Sequence, residues 1–150
     1  FTSEKEMIEN LEKEFPESEN FKWNRDNDNF NVLNESDLLI TDFSGVVFDF
    51  TLVFDKPIIY ADTSFNSDPY DASWVSEPLW RFEKLKELGI KLDKKDFSKM
   101  KEVIDSVIEN KELKLSRERV RNEAWQYQGQ GAEKTVDWLI EKYKRIAGER

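Results

Sequence analysis

The amino-acid order predicts an α/β fold in which helices flank a short parallel sheet. Three observations carry this. An apolar run at Leu38-Leu39-Ile40 passes through Thr41-Asp42 into a Ser44-Gly45 turn and then into an apolar helical stretch. A second strand-like run, Ile58-Ile59-Tyr60, follows behind Pro57. The first run is apolar on both faces, as strands in covered parallel sheets are. With Phe21-Lys22-Trp23 there are three strand candidates, each followed by helix signals, and this βα order implies right-handed crossovers. Three strands make only half of an ordinary doubly wound sheet.

The elements follow in order. Ser3 and Glu6 form a Ser-x-x-Glu capping box, and Met7, Ile8, Leu11 and Phe15 then share one helical face until Pro16 ends it. Residues 24–29 are polar and read as a loop, and residues 30–34 as one or two helical turns. Residues 38–41 are a buried strand. Residues 46–53 are apolar nearly all round and read as a buried helix, and residues 58–61 as the next strand. Residues 62–77 show no period and hold Pro69, which reads as a mobile loop. Pro78 suits the first turn of a helix that runs to about Leu88 and stops at Gly89. Phe97, Met100, Ile104, Val107 and Ile108 mark one amphipathic helix. Ser116 is placed as the cap of another, which ends near Trp125. Gly129 and Gly131 break the chain, and Val136, Leu139, Ile140 and Tyr143 mark a last helix closed near Gly148. The whole reads as a single domain over residues 1–150, with no internal repeat.

Composition narrows the function. The chain has 150 residues, a formal net charge of −9, 11 Phe, 5 Trp, no Cys and no His. Such acidity disfavours nucleic acid as a partner. Without Cys or His, disulfides, thiolate or imidazole metal sites, and Ser-His or Cys-His catalysis cannot be built from this chain. No apolar stretch nears the roughly 20 residues that span a bilayer, and no secretory signal is visible. The chain starts at Phe1, directly before a helix signal, and is read as part of a longer protein.

The turn after the first buried strand is the candidate binding element. Ligands of open α/β sheets bind beyond the carboxyl ends of the strands, and the N–H groups of a helix start attract anions. The Ser44 hydroxyl and the N–H groups of Gly45, Val46 and Val47 are placed to converge on a diphosphate. Asp49, one turn on, is placed to accept hydrogen bonds from ribose hydroxyls. The plainer reading makes Ser44 an N-cap, Gly45 a turn residue and Asp49 a helix-dipole partner.

Residues 36–60, SDLLITDFSGVVFDFTLVFDKPIIY, resemble the CDP-glycerol glycerophosphotransferases of teichoic acid synthesis. Their second domain carries a pattern like aDvLITDYSSvvFDf…dKPiIfY. Leu39-Ile40-Thr41-Asp42 matches, as do Ser44, Phe48-Asp49-Phe50 and Lys56-Pro57-Ile58-Ile59. Phe43 stands for the usual Tyr, and Gly45 for a common Ser. Gly131-Ala132-Glu133-Lys134 and the helix after it are similar to the family's ending. The resemblance implies a partial Rossmann-like fold, the C-terminal domain of a two-domain transferase of the glycosyltransferase-B type. It implies a CDP-linked donor held by Thr41, Asp42, Ser44, Gly45, Val46 and Asp49, with no resident cofactor or metal. The catalytic base would lie upstream, so no catalytic residue is assigned here and the fragment alone is expected to be inactive. The acceptor is expected to be a polyol-phosphate or glycan polymer of the cell wall or capsule. The parent is expected to be cytoplasmic and peripheral at the inner face of a bacterial membrane. A nucleotide-sugar glycosyltransferase of the same architecture, or a non-catalytic nucleotide-binding module, stays open at this point.

Other constellations are weaker. Asn24, Asp26, Asp28 and Glu35 fit four positions of a calcium-loop template, but the template's Gly is Asn29. Trp74, Trp80 and Phe82 form either an aromatic platform or, better, core or interface. Asp68, Tyr70 and Asp71 sit in a candidate lid. Arg117, Arg119 and Arg121, with Lys111 and Lys114, read as one wet helix face.

Overall fold

The computed structural model describes residues 2–61 and 79–148. Two compact units divide the chain, Phe1–Val32 and Leu33–Arg150.

In the first unit, helix α1 (Thr2–Glu14) stops two residues before Pro16. Its backbone is already helical at Ser3, whose side chain lies outside the described set, so the capping box is not described. Met7, Ile8, Leu11 and Phe15 share the expected face but stay exposed. The strand expected at Phe21-Lys22-Trp23 is absent. A single antiparallel bridge, Ser18 to Phe21, forms instead. Trp23 is held locally, its Nε1–H donating to the Phe15 carbonyl (2.9 Å) and its ring standing edge-on to Phe21. The polar residues that follow bond themselves: Asn24 Oδ1 accepts from Asp26 N–H, and Asp28 Oδ1 from Phe30 N–H. Among the described residues no acidic cluster could hold a metal ion. Helix α2 (Phe30–Glu35) starts at that Asp28 contact.

The second unit contains the sheet. Strands β1 (Leu39–Thr41), β2 (Ile58–Ala61) and β3 (Gly89–Leu92) are parallel, in spatial order β1-β2-β3. Thr41 pairs with Tyr60 and Tyr60 with Lys91 in one register row. β2 is central, and strand alternation sends its two isoleucines to opposite faces. Ile58 joins a core with Leu33, Val47, Phe50, Leu52, Leu85, Leu88 and Val120. Ile59 joins Leu92 and Val107. β1 is less buried than its apolar run suggests, with Ile40 half exposed, because no described strand pairs with its outer edge.

The third strand is the main departure from the sequence reading. Gly89 does end α4 (Trp80–Leu88), but it also opens β3 in extended backbone. A Cβ at Gly89 would lie 2.2 Å from the Ile58 carbonyl oxygen, so the close approach of β3 to β2 requires glycine. Pro78 and the loop at 62–77, with Trp74, Asp68, Tyr70 and Asp71, lie outside the described residues.

The expected helix at 46–53 starts as α3 (Val46–Phe48) and widens into a π-helical turn (Asp49–Val53). Val47, Phe50, Thr51 and Leu52 are buried, whereas Val53 faces out. Thr51 satisfies the Val47 carbonyl through its hydroxyl at 2.7 Å. The amphipathic run at 97–108 divides into a 3₁₀ segment (Lys94–Lys99) and α5 (Met100–Ile108). Asp93 and Asp96 form a reciprocal capping box at the 3₁₀ start, and Phe97 stays exposed. Helix α6 (Lys111–Ala124) begins five residues before Ser116. Asn110 caps it, with Oδ1 accepting from Leu113 N–H, and Ser116 is buried in mid-helix. Helix α7 (Gly131–Ala147) ends at left-handed Gly148, as the sequence indicates, but has no buried residue.

Candidate functional site

Parallel pairing places the carboxyl ends of all three strands on one edge of the sheet. The loop that leaves β1 at that edge is built from alternating side chains. Phe43 turns inward and meets Phe82 of α4 edge-on, 5.9 Å between ring centres. Phe48 stacks on Trp80 at 5.6 Å. Trp80 and Phe82 therefore serve as packing for the loop and α3; Trp74 is outside the described residues. Asp42 and Ser44, on either side of Phe43, are exposed.

Short-range bonds shape the turn. Asp42 Oδ1 accepts the Ser44 N–H at 2.8 Å, an Asx turn. Ser44 Oγ accepts the Val46 N–H at 3.4 Å, and the Ser44 carbonyl accepts the Val47 N–H at 3.2 Å. Of the three amides named from sequence, Val47 is engaged inside the helix and Val46 weakly by the serine. Gly45 N–H meets no acceptor among the described residues. Gly45 is exposed, and a Cβ built there would meet nothing within 4 Å. Asp49 is exposed where α3 gives way to the π turn, and no described residue donates to its carboxylate. π turns often sit at functional positions. Thr41 is the last residue of β1 and half-buried. The six positions Thr41, Asp42, Ser44, Gly45, Val46 and Asp49 thus run from the end of β1 through the loop into the first helical turns after it.

Lys91 was not legible as a site neighbour. Its register row ends in Thr41 and Tyr60, which brings a cation to the same edge, 3.8 Å from Asp93 Oδ1. The signal was the alternation in Gly-Ile-Lys-Leu, hidden behind the helix-stop reading of Gly89.

The far end of the π turn is held by arginines. Arg117 is buried (5% exposed) and donates through Nε to Asp55 Oδ1 and through Nη2 to the Asp55 carbonyl, both at 3.3 Å. Arg121 Nε donates to the Leu52 carbonyl at 2.7 Å, and its Nη2 lies 3.3 Å from Asp55 Oδ1. Arg119 pairs outward with Glu87. The wet-face reading is therefore wrong for Arg117 and Arg121. Helix α6 turns them toward the uncapped carbonyls of the π turn, where a C-terminal partial negative charge favours cations. Burial pulls the Arg117 guanidinium below its ordinary range while the Asp55 carboxylate opposes that shift. Lys56 performs a related task, donating to the Leu33 and Asn34 carbonyls at the end of α2.

Among the described residues no helix is long and apolar enough to cross a membrane. No curated protein matches the chain, and no solved structure matches it. The family model for CDP-glycerol:poly(glycerophosphate) glycerophosphotransferase matches residues 6–140. The chain therefore belongs to that family, as a glycerophosphotransferase-type enzyme domain.

Proposed function

We propose that this chain is the C-terminal, donor-binding portion of a two-domain enzyme that transfers glycerol phosphate, or a similar polyol phosphate, to a cell-wall or capsular polymer. The observation that carries the reading is the exposed turn at the carboxyl end of β1, with an unengaged Gly45 amide, inside a chain matched by the family over residues 6–140. In this reading the Gly45 and Val46 amides and the Ser44 hydroxyl meet the diphosphate, and Asp49 accepts from the ribose. Thr41 and Asp42 set the turn.

The transfer is a displacement at phosphorus. A hydroxyl oxygen of the acceptor bonds to the β-phosphorus of the donor, the bond to the bridging oxygen breaks, and CMP leaves. A general base takes the hydroxyl proton. A histidine base, as the family resemblance implies, would have to come from elsewhere in the parent, because this chain has no His. The turn's contribution is to hold the leaving nucleotide and offset charge building on its phosphate. Parent association with the inner face of the membrane, where such polymers are extended, belongs to the same proposal.

The turn's own exposed charges are two carboxylates, Asp42 and Asp49. The turn itself offers only amide dipoles to the donor's negative charge, with Lys91 of β3 as a nearby cation, so the isolated chain is expected to bind CDP weakly, in the millimolar range. Titration of the labelled chain with CDP, UDP and inorganic phosphate tests this. Shifts confined to the amides of residues 44–47, with a preference for CDP, support the proposal. A preference for UDP would move the assignment to a nucleotide-sugar transferase, and silence at those amides with shifts elsewhere would remove the turn from the site. In the parent enzyme Ser44→Ala is expected to raise the donor KM about three- to tenfold, the loss of one hydrogen bond, with kcat little changed.

A further inference from the structure

Between α6 and α7, residues 125–131 form a turn of sequence Trp-Gln-Tyr-Gln-Gly-Gln-Gly. Two open surface grooves adjoin there, each of ≈ 630 Å³, and both are lined by Tyr127 and Gly131. Trp125, Gln126 and Gln128 complete the first. Trp138, Asp137 and Glu141, with Lys134, line the second. The three rings are well exposed, Trp125 37%, Tyr127 57% and Trp138 56%. Among the described residues nothing bonds the indole N–H of Trp125 or Trp138, or the Tyr127 hydroxyl. Gly129 (φ 76°) and Gly131 have nothing within 4 Å of where a Cβ would be, so the backbone there is open to an incoming ligand.

We infer that this double groove binds neutral sugar units, one in each half, with Tyr127 between them. The chemistry selects the class. Aromatic faces cover the C–H faces of pyranose rings and leave the ring's hydroxyls at the edge. Gln126, Gln128, Asp137 and Glu141 surround the rings with acceptors, which suit a ligand rich in O–H donors. Lys134 faces Asp137 and Glu141, and Lys142 Nζ lies 5.4 Å from the Trp138 ring centre, so the charges about the groove balance and offer a polyanion no net attraction. The role of the groove, gripping a sugar-bearing stretch of the acceptor, rests on the transferase reading above; the binding itself does not.

The test uses the 150-residue chain and a panel of neutral trisaccharides (cellotriose, maltotriose and chitotriose), with oligomeric glycerol phosphate as the anionic probe and CDP as the donor probe. At least one trisaccharide is expected to shift the indole N–H signals of Trp125 and Trp138 saturably, in the millimolar range. Glycerol phosphate is expected to leave them still. Trp125→Ala is expected to weaken the sugar about tenfold, which corresponds to ~1.4 kcal/mol. Gly131→Leu would fill the groove from an open backbone position without touching the core, and is expected to abolish the shifts with an unchanged melting temperature. No indole shift with any trisaccharide, or a stronger response to glycerol phosphate or CDP, overturns the inference. CDP shifts at residues 44–47 report separately on the donor turn, so either assignment can fail alone.

Discussion

Asp55 is the non-glycine residue with positive φ among the described residues, at 55°. Left-handed backbone costs an L-residue about 1–2 kcal/mol, with Asp and Asn the most tolerant. Two arginines explain why the conformation persists: it presents one carboxylate oxygen to both Arg117 and Arg121, and the carbonyl to Arg117. Arg117 Nη1 has no partner even so. Asp55→Asn keeps the backbone preference and the shape but removes the counter-charge of a buried guanidinium. Breaking a fully buried pair costs roughly 3–5 kcal/mol, and partial solvent access at Asp55 reduces that, so a loss of about 2 kcal/mol is expected in urea unfolding at pH 7. A change below about 0.5 kcal/mol would show that Asp55 is not the counter-ion, since surface substitutions fall in that range. Little of this was readable beforehand. A run of alternating Arg on a helix gives the same pattern whether it faces water or a carbonyl cluster, and the difference is made by a residue 62 positions away. The turn at Ser44-Gly45 was readable, because an apolar run ending in small polar residues marks a strand-to-helix turn. Which amides the turn consumes internally was not, since that depends on the Asp42 and Ser44 side-chain torsions.

The strand β3 and the α4–α6 contact show what decides between elements. Gly-Ile-Lys-Leu is short and begins with a glycine that also ends a helix, so a single residue serves two elements and local pattern reports only the first. At Phe21-Lys22-Trp23 the error runs the other way: aromatic residues with strand propensity find no neighbouring strand, and propensity yields to context. Ser116 is a good capping residue, but Asn110 stands where the helix starts. Gly89→Ala separates the steric from the conformational role of that glycine. Its backbone is extended, which alanine adopts freely, so the whole cost comes from the 2.2 Å approach to the Ile58 carbonyl. Overpacking against backbone is expected to cost about 3 kcal/mol or more, read as a lower urea midpoint; an unchanged midpoint would mean β3 does not pair as closely as described. Helices α4 and α6 are joined by Lys84 to Glu123 (2.7 Å) and Arg119 to Glu87 (3.1 Å), with Trp80 Nε1 also donating to Glu123; within α4 Lys84 also pairs with Glu87 (3.1 Å). The Lys84 hydrogen bond chiefly lowers the pKa of both carboxyls, and those bonds raise that of Lys84. A depressed carboxyl pKa stabilises the fold above the unfolded value, about 4.3, and that contribution fades as pH falls through the lower folded value. The raised lysine pKa contributes below about 10.4 and fades as pH climbs past it. Melting temperature is thus expected to drop at both ends of this window, and the acid-side drop is expected to shrink in a Glu87→Gln, Glu123→Gln double variant. An acid limb identical to the parent's would place the acid sensitivity elsewhere.

Across the whole molecule, burial is concentrated in few places, and local stability is expected to follow it. β2 is paired on both sides, and Ile58 and Ile59 are fully buried on opposite faces. Burying each isoleucine stabilises the fold by about 1.5–3 kcal/mol, and no smaller opening than global unfolding exposes the amides between them. Helix α7 is the opposite case. Its apolar face of Val136, Leu139, Ile140, Tyr143 and Ile146 is 49–83% exposed, so its 17 residues depend on intrinsic helix stability without the tertiary packing that supplies most of a helix's stability in proteins. In the first unit, α1 likewise leaves Met7, Ile8, Leu11 and Phe15 between 36% and 56% exposed. Native-state hydrogen exchange is expected to separate these. Amides in β2 exchange at the global unfolding free energy, and those in α1 and the later turns of α7 by local opening at a much lower free energy. The amphipathic pattern that made both helices legible in sequence is therefore the same pattern that leaves them weakest in this chain, because periodicity records that a face is made for burial and says nothing of where its partner is. If α7 amides exchange as slowly as those of Ile58 and Ile59, the apolar face is covered in solution and the helix does not stand on intrinsic stability alone.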